Sequence, residues 1–395
     1  MKLLWLDLNS SYAHSSLALP ALHAQIADDT TVEWCMVSAT INENTGNIVK
    51  QIYQHQPDII AATNWLFNHE QLLHIVSRSK ALLPQCCIIL GGPEFLGDNK
   101  DFLFKNKFVN GVFRGEGEEA FPLWLKVWNR PRKEWKSITG LCYLDESEEY
   151  QDNGIARVMN FSALVSPERS RFFNWSKPFV QLETTRGCFN TCAFCVSGGE
   201  KPVRTIPLEA IRERLDNIHQ HGIKNVRVLD RTFNYNNKRA KDLLNLFRKY
   251  PDIRFHLEIH PALLSEELKN ELAALPDGLL HLEAGIQSLR EPVLEQSRRI
   301  GKLSDALEGL KYLCSLKNME THADLIAGLP LYHLTEIFED VHTLAEYGAG
   351  EIQLESLKLL PGTEMRRRAE ELGIQYSPLP PYEVLQTREI SVEEL

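Results

Sequence analysis

No apolar run in this sequence approaches the roughly 18–20 residues that a membrane-spanning helix requires, so a membrane is not expected as a partner. The opening stretch, MKLLWLDLNSSYAHSS, is short and turns acidic too soon to read as a secretory leader. The eight cysteines are therefore expected as thiols in a reducing cytoplasm, not as disulfides. Basic charge is not in excess either: the formal net charge is −10. Bulk attraction to nucleic acid is not expected from such a chain. Internal repeats and low-complexity tracts are absent. What remains is ordinary globular composition, 43% hydrophobic and 24% charged, in 395 residues, enough for two or three cores.

The thiols are concentrated. Cys188, Cys192 and Cys195 are spaced C-x3-C-x2-C within the string TTRGCFNTCAFC that begins at Thr184. Thiolates are the natural ligands of iron–sulfur clusters, and a cubane held by three of them keeps one iron open for a small molecule. A zinc site would normally pair C-x2-C with a second Cys/His pair nearby, and none follows. The spacing, with an aromatic just before the third cysteine, resembles the signature of the radical S-adenosylmethionine (SAM) enzymes. That resemblance implies a 4Fe–4S cluster on Cys188, Cys192 and Cys195, its open iron chelating the amino and carboxylate groups of SAM. Phe194 would then pack against the adenine, core filling being the alternative. Phe189 stands where relatives often carry proline, and Arg186 either balances cluster charge or meets solvent.

Ahead of the cysteines, apolar strand-like runs at 2–8, 31–38, 58–62, 86–90 and 108–113 alternate with helical patterns at 17–26, 46–55, 68–82 and 118–128. This alternation predicts a doubly wound parallel sheet, whose ligands bind at the carboxyl ends of the strands. Those ends carry Asn9–Ser16, Thr63-Asn64-Trp65, Gly91-Gly92-Pro93-Glu94 and Arg114–Glu118. A Rossmann-like domain directly before the cysteine motif, with the strings IILGGPE and RGEGE, resembles the cobalamin-binding module of the B12-dependent radical SAM class. The resemblance implies cobalamin contacts from Asn9, Thr63, Asn64, Gly91, Gly92, Pro93, Glu116 and Gly117; a degenerate domain without a ligand is the alternative. No G-x-G-x-x-G follows the first strand, which argues against a dinucleotide. No D-x-H-x-x-G occurs, so no protein histidine is expected on cobalt, and His14 is expected to be solvated. Cys35, Cys86, Cys87, Cys142 and Cys314 read as core residues, with vicinal redox chemistry at Cys86–Cys87 as the lesser alternative.

Domain limits follow: a cobalamin-binding domain at 1–128, a hairpin-bearing linker at 129–176, a barrel at 177–375, and a tail at 376–395 that reads as the start of a further lobe. The barrel strands are expected at 179–184, 225–230, 253–259, 279–284, 319–326 and 351–357. Six such units form a partial (βα)6 radical SAM barrel, active at the C-terminal ends of its strands. GIQS (285–288) and DLIAGLP (324–330) resemble strings of the radical SAM subgroup that includes coproporphyrinogen oxidases and methylthiotransferases. By that resemblance Glu258, Gln287 and Asp324 address the ribose or amino group of SAM, Asp230 the amino group, and Arg299 the carboxylate. Carboxylates suit a diol, and a guanidinium fork suits a carboxylate. Lys358 is a candidate substrate contact.

The function implied is a cobalamin-dependent radical SAM methyltransferase acting on an unactivated carbon. It would use a 5′-deoxyadenosyl radical and methylcobalamin, with an electron donor such as flavodoxin or ferredoxin. A non-methylating rearrangement or redox reaction is the alternative; a non-catalytic cobalamin or redox sensor is a remote one. The substrate is not legible.

Overall fold

Strands buried on both faces read as nearly unbroken apolar runs, and the first such run becomes the first strand. A computed structural model describes residues 1–395, in two units, Met1–Lys177 and Pro178–Leu395. In the first unit, β1 (Lys2–Asn9), β2 (Glu33–Thr40), β3 (Ile59–Thr63), β4 (Cys87–Gly91) and β5 (Gly111–Phe113) form a parallel sheet in the order β2-β1-β3-β4-β5. Helices α1 (Ala18–Ala24), α2 (Thr45–His55), α3 (His69–Leu82), α4 (Lys100–Lys105) and α5 (Ala120–Leu125) connect and follow them. Alternate residues of β1 feed two cores. Leu4, Leu6 and Leu8 pack with Ile48, Ile52 and Ile75 on one face, whereas Leu3 and Trp5 pack with Leu19, Phe121 and Trp124 on the other. This is the doubly wound arrangement, and its strand order reverses between β1 and β3.

The hairpin expected within 129–176 is β6 (Leu141–Leu144) with β7 (Tyr150–Asp152), and it is joined to the sheet: β6 pairs antiparallel with β5. Residues 129–176 therefore continue the first unit instead of standing apart from it. Cys86, Cys87 and Cys142 are buried in this unit. Burial pushes the Cys86 and Cys87 thiols up to about 12, which suits core residues and not a reactive vicinal pair.

In the second unit, β8 (Val180–Leu182) is followed by a short antiparallel pair, β9 (Thr185–Arg186) and β10 (Arg204–Thr205). Then come α6 (Leu208–Gln220), β11 (Asn225–Val228), α7 (Asn237–Phe247), β12 (Arg254–Ile259), α8 (Glu266–Ala273) and β13 (Leu280–Gln287). Helices α9 (Glu291–Gln296) and α10 (Leu303–Ser315), β14 (Glu320–Ala327), α11 (Leu334–Glu346) and β15 (Glu351–Ser356) complete the repeat. The sheet runs β8-β11-β12-β13-β14-β15, all parallel, with β8 and β15 unpaired to each other. It is an open (βα)6 arc. Phe255, Leu257, Ile259, Leu280, Leu282 and Ala284 alternate toward the buried side. His256, Glu258, His281, Glu283 and Gln287 take the polar side.

Beyond the arc lie α12 (Glu364–Arg367), α13 (Ala369–Leu372), β16 (Gln375–Tyr376) and β17 (Val384–Gln386). Residues 376–395 pack on the second unit: Val384 and Ile390 are buried with Leu357, Leu359 and Met365. No helix is long and apolar enough to cross a membrane.

Candidate functional site

The cysteine loop leaves β9 and is strapped on all sides by backbone hydrogen bonds. Cys188 N–H donates to Glu200 C=O (3.0 Å), Ala193 N–H to Ser297 C=O (2.9 Å), and Met365 N–H to Ala193 C=O (2.8 Å). Buried Asn190 accepts on Oδ1 from Ile300 N–H (2.9 Å), tying the loop to the approach to α10. Cys188 and Cys192 are buried and Cys195 half-buried. Arg299 Nη1 lies 3.7 Å from Cys192 Sγ, Thr232 Oγ1 3.9 Å from Cys188 Sγ, and Ser197 N–H donates to Cys195 Sγ at 3.4 Å. Burial pushes the Cys192 thiol up to about 11 and raises that of Cys195, while the positive charges of Arg299 and Arg231 pull them down. Three soft donors on one loop beside two guanidinium groups suit a cluster that binds as thiolates and discharges their protons.

The polar side of the sheet presents a row of acids. Glu258 is the last residue but one of β12, Glu283 is its register partner on β13, and Asp324 on β14 pairs with Gly285. Burial raises Glu258 to about 7, with the charge of Glu283 adding to it and Arg231 opposing it. His256 Nε2 lies 2.8 Å from Glu283 Oε2 and holds that carboxyl down. Burial and the Glu283 charge push Asp324 up. The row thus combines one ionised carboxylate with neighbours that retain protons, a set of mixed donors and acceptors.

Gln287 and Arg299 meet over Gly285. Gln287 has φ +73° at a bulge in β13, and a Cβ on Gly285 would stand 2.6 Å from its amide nitrogen. Arg299 Nη2 donates to Gly285 C=O. Asp230 is placed otherwise than the resemblance implied. It is fully buried, and its carboxylate accepts from the N–H groups of Thr184 (2.8 Å) and Thr185 (2.9 Å) and from the Thr184 hydroxyl. It fixes the chain entering the cysteine loop. Phe194 packs against a core cluster that contains Ala193 and Leu359. Arg186 is paired with Glu183 (2.8 Å) and Lys358 with Glu355 (3.0 Å).

Four further residues belong to this site, none of them within a recognisable motif. Arg231 adjoins Asp230 at a strand end, a position that could have flagged it. Asn190 and Asp340 act through partners far away in the chain, as does Thr232. Asp340 accepts from Leu289 N–H (2.8 Å) and Arg290 Nε (2.9 Å), and so anchors the loop that follows Gln287.

Glu258 also predicts a pH dependence. Its folded carboxyl keeps a proton to about pH 7, against about 4.5 when unfolded, so the folded chain binds more protons between these values. The stability this supplies is full below about pH 4.5 and is lost as pH rises through about 7, a decline of about 1–3 kcal/mol. Urea unfolding of the ligand-free chain should show this decline, and Glu258→Gln should flatten it. An unchanged slope in the variant would contradict the assignment.

In the first unit the loops at the strand-order reversal form a second polar cluster. Asn9 is buried, its Nδ2 donating to Asp7 Oδ2 (2.7 Å) and its Oδ1 2.7 Å from His14 Nδ1. His14 is thus half-buried and hydrogen-bonded, edge-on to Phe67 and Trp65, not solvated as expected, because Asn9 and the two rings hold it. Asn64 is fully buried; its N–H donates to Gly91 C=O (2.7 Å) and its Nδ2 lies 3.1 Å from His69 Nδ1. Its Oδ1 has no partner. Gly92 sits at φ +112°, and a Cβ there would stand 2.6 Å from Asn64 O and 2.8 Å from Thr63 Cγ2. Pro93 opens a short 3-10 turn beyond it. An orphaned buried acceptor beside a backbone too close for a side chain fits a cradle for a bulky polar ligand.

Glu116 and Gly117 are held by other segments of the first unit. Glu116 Oε2 accepts from Val158 N–H (2.7 Å), and its own N–H donates to Ala156 C=O (3.0 Å). A Cβ on Gly117 would stand 3.0 Å from Leu22 Cδ2. This loop is packed internally by segments that the sequence order keeps far away.

Comparison with known proteins agrees with this architecture. The family model of the radical SAM superfamily matches residues 182–344, and that of the B12 binding domain matches residues 7–125. An uncharacterised methyltransferase of Pyrococcus horikoshii is 26% identical over 296 residues, 72% of this chain and 63% of that protein. The cobalamin-dependent radical SAM methyltransferase TokK of Streptomyces tokunonensis is 21% identical over 351 residues, 82% of this chain and 50% of its own. The chain thus spans about half to five-eighths of these relatives. Among solved structures, the radical SAM methyltransferase TsrM of Kitasatospora setae, with cobalamin and a 4Fe–4S cluster bound, superposes with a TM-score of 0.77 at 17% identity. The match covers 100% of this chain and 80% of TsrM.

Proposed function

Because this chain belongs to the B12-binding class of the radical SAM superfamily, we propose that it is a cobalamin-dependent radical SAM methyltransferase acting on an unactivated carbon. The observation that carries this reading is the presence, in one chain, of a three-thiol loop at the mouth of an open (βα)6 arc and a doubly wound sheet with a glycine-lined polar cradle. When bound, the cluster and SAM supply radical chemistry, and cobalamin supplies a transferable methyl group. The residues of the chain do the rest. Cys188, Cys192 and Cys195 hold iron, and Arg299 beside Cys192 offers a guanidinium to the SAM carboxylate. Glu258, Asp324 and Gln287 address its amino and ribose groups, with Glu283 kept ionised by His256 beneath them. Phe194, at the edge of its core cluster, offers an apolar wall to the adenine. Asp230 positions the cysteine loop without touching a ligand. In the first unit, Asn64, Gly91, Gly92 and Pro93 form the cobalamin cradle, with Asn9 and Thr63 beside it. The chemistry calls for a low-potential electron donor, a flavodoxin or ferredoxin, and for the reducing conditions of a cytoplasm.

Methyl-labelled SAM tests the reading without knowledge of the substrate. The reduced, cluster-loaded chain should form 5′-deoxyadenosine in a manner dependent on the cysteine triad. It should form S-adenosylhomocysteine only when cobalamin is added. Formation of 5′-deoxyadenosine alone, with cobalamin present, would reject methyl transfer and favour a non-methylating radical reaction.

A further inference from the structure

We propose that His281, His322 and Glu351 form a binding site for one divalent transition-metal ion, with zinc as the reference metal, at the end of the arc away from the cysteine loop. The three residues lie on the adjacent parallel strands β13, β14 and β15. His322 and Glu351 are direct register partners, and His281 stands on the same polar side of the sheet. One ligand atom from each residue lies within 4.8 Å of the others. Donors around a tetrahedral zinc at 2.0–2.1 Å are about 3.4 Å apart, so the set needs side-chain rotation to reach bonding distance, for which the exposed Glu351 has room.

The second observation is an unsatisfied nitrogen. His322 is only 6% exposed, and its Nε2 has no hydrogen-bond partner. Asp324 Oδ1 is 2.9 Å away, but the two are not aligned for a hydrogen bond, and that oxygen is equally without a partner. A buried polar atom left in this way carries an uncompensated desolvation cost, and a cation on the His322 Nε2 lone pair would satisfy it.

A third observation concerns His281. Glu283 Oε2 lies 2.8 Å from His256 Nε2, and His256 Nδ1 lies 3.4 Å from His281 Nδ1. If the carboxylate accepts the His256 Nε2 proton, His256 Nδ1 is left as an acceptor, and His281 carries its proton on Nδ1. Its Nε2 lone pair is then free for a metal. A carboxylate–histidine chain behind a ligand is the usual means of fixing its tautomer. Burial, with His256 and Arg254 nearby, lowers the His281 pKa and so favours the neutral ring. Two imidazoles and a carboxylate are a borderline donor set that suits zinc better than calcium or magnesium. Such an ion would fasten β15, the thinly covered edge strand of the arc, to β13 and β14. Its role would be to stabilise, apart from the chemistry at the opposite strand ends.

The full chain with its cysteines loaded with iron and sulfide is the material for the test, and zinc chloride is the probe. One equivalent of zinc should bind. Its X-ray absorption spectrum should show nitrogen and oxygen neighbours at about 2.0–2.1 Å and none of the sulfur expected at about 2.3 Å. Glu351→Gln, on an exposed side chain that the fold does not need, should weaken binding about tenfold or more. His256→Gln, one shell out, should weaken it about 10–100-fold. Zinc should raise the melting temperature of the parent more than that of Glu351→Gln. Absence of stoichiometric binding would overturn the proposal. A sulfur-dominated spectrum, or affinity unchanged in both variants, would do the same.

Discussion

Chain carrying Cys192→Ala, reconstituted anaerobically with iron and sulfide, loses the 4Fe–4S absorbance and forms no 5′-deoxyadenosine above background. Its melting temperature stays close to that of the parent. The reasoning starts from the number of donors. Three thiols on one loop are the minimum that holds a cubane with one open iron, and none of the other five cysteines is on that loop. Removing the middle thiol leaves two donors and a guanidinium, Arg299, whose sulfur neighbour is gone. The stability cost is small because only one sulfur is deleted, about 1 kcal/mol for a cavity of this size. Bound iron per chain, and the electron paramagnetic resonance signal with and without SAM, read the outcome. A variant that keeps its cluster and its SAM-dependent signal change would sink the ligand assignment. Parent protein that takes up zinc on these thiols, with no iron–sulfur absorbance, would sink the cluster itself.

The second large effect is on the fold and comes from α11. Asp340 is 1% exposed and accepts from Leu289 N–H, from the Arg290 guanidinium (2.7 Å) and from the Tyr332 hydroxyl (2.5 Å), with Ser288 Oγ at 3.5 Å. Asp340→Ala leaves a guanidinium, a phenol and a backbone N–H facing an empty corner. Breaking a buried pair of this kind costs about 3–5 kcal/mol, a drop of about 10 °C in a unit of this length. Thermal melting followed by circular dichroism measures it, and a shift under about 2 °C would contradict the role. The loop that Asp340 anchors begins directly after Gln287, whose left-handed backbone has to be imposed by its surroundings. Weaker SAM binding should therefore accompany the loss of stability, and titration of the folded variant below its transition separates the two.

These predictions draw on residues of unequal visibility in the sequence. The doubly wound sheet could be read because β1, β3 and β4 are buried on both faces and so appear as apolar runs. The arc could be read because its strands alternate with amphipathic helices such as α6. The cysteine spacing located its own loop. Short α4 escaped notice, since six residues with one buried leucine carry no periodicity. Asp230, Glu116 and Asp340 show a different limit. Each looks from the sequence like a polar residue at a strand end or on a helix. Their oxygens are taken by partners at separations of 46, 42 and 51 residues. A carboxylate free for a ligand cannot be told from one already engaged until those distant segments are placed. The three histidines of the arc fall on three strands, with no motif spacing between them, and only the register brings them together.

Because β8 and β15 are not joined, the arc has no seam. A closed barrel has its radius set by strand number and shear; an open sheet is under no such obligation. Its curvature is set by the twist at each of five strand pairings. Across the gap the two flanks are latched by loops: Met365 N–H meets Ala193 C=O, and Ala193 shares a core with Leu357, Leu359 and Met365. A substitution at that latch would reshape the mouth of the arc without breaking a single rung of the sheet.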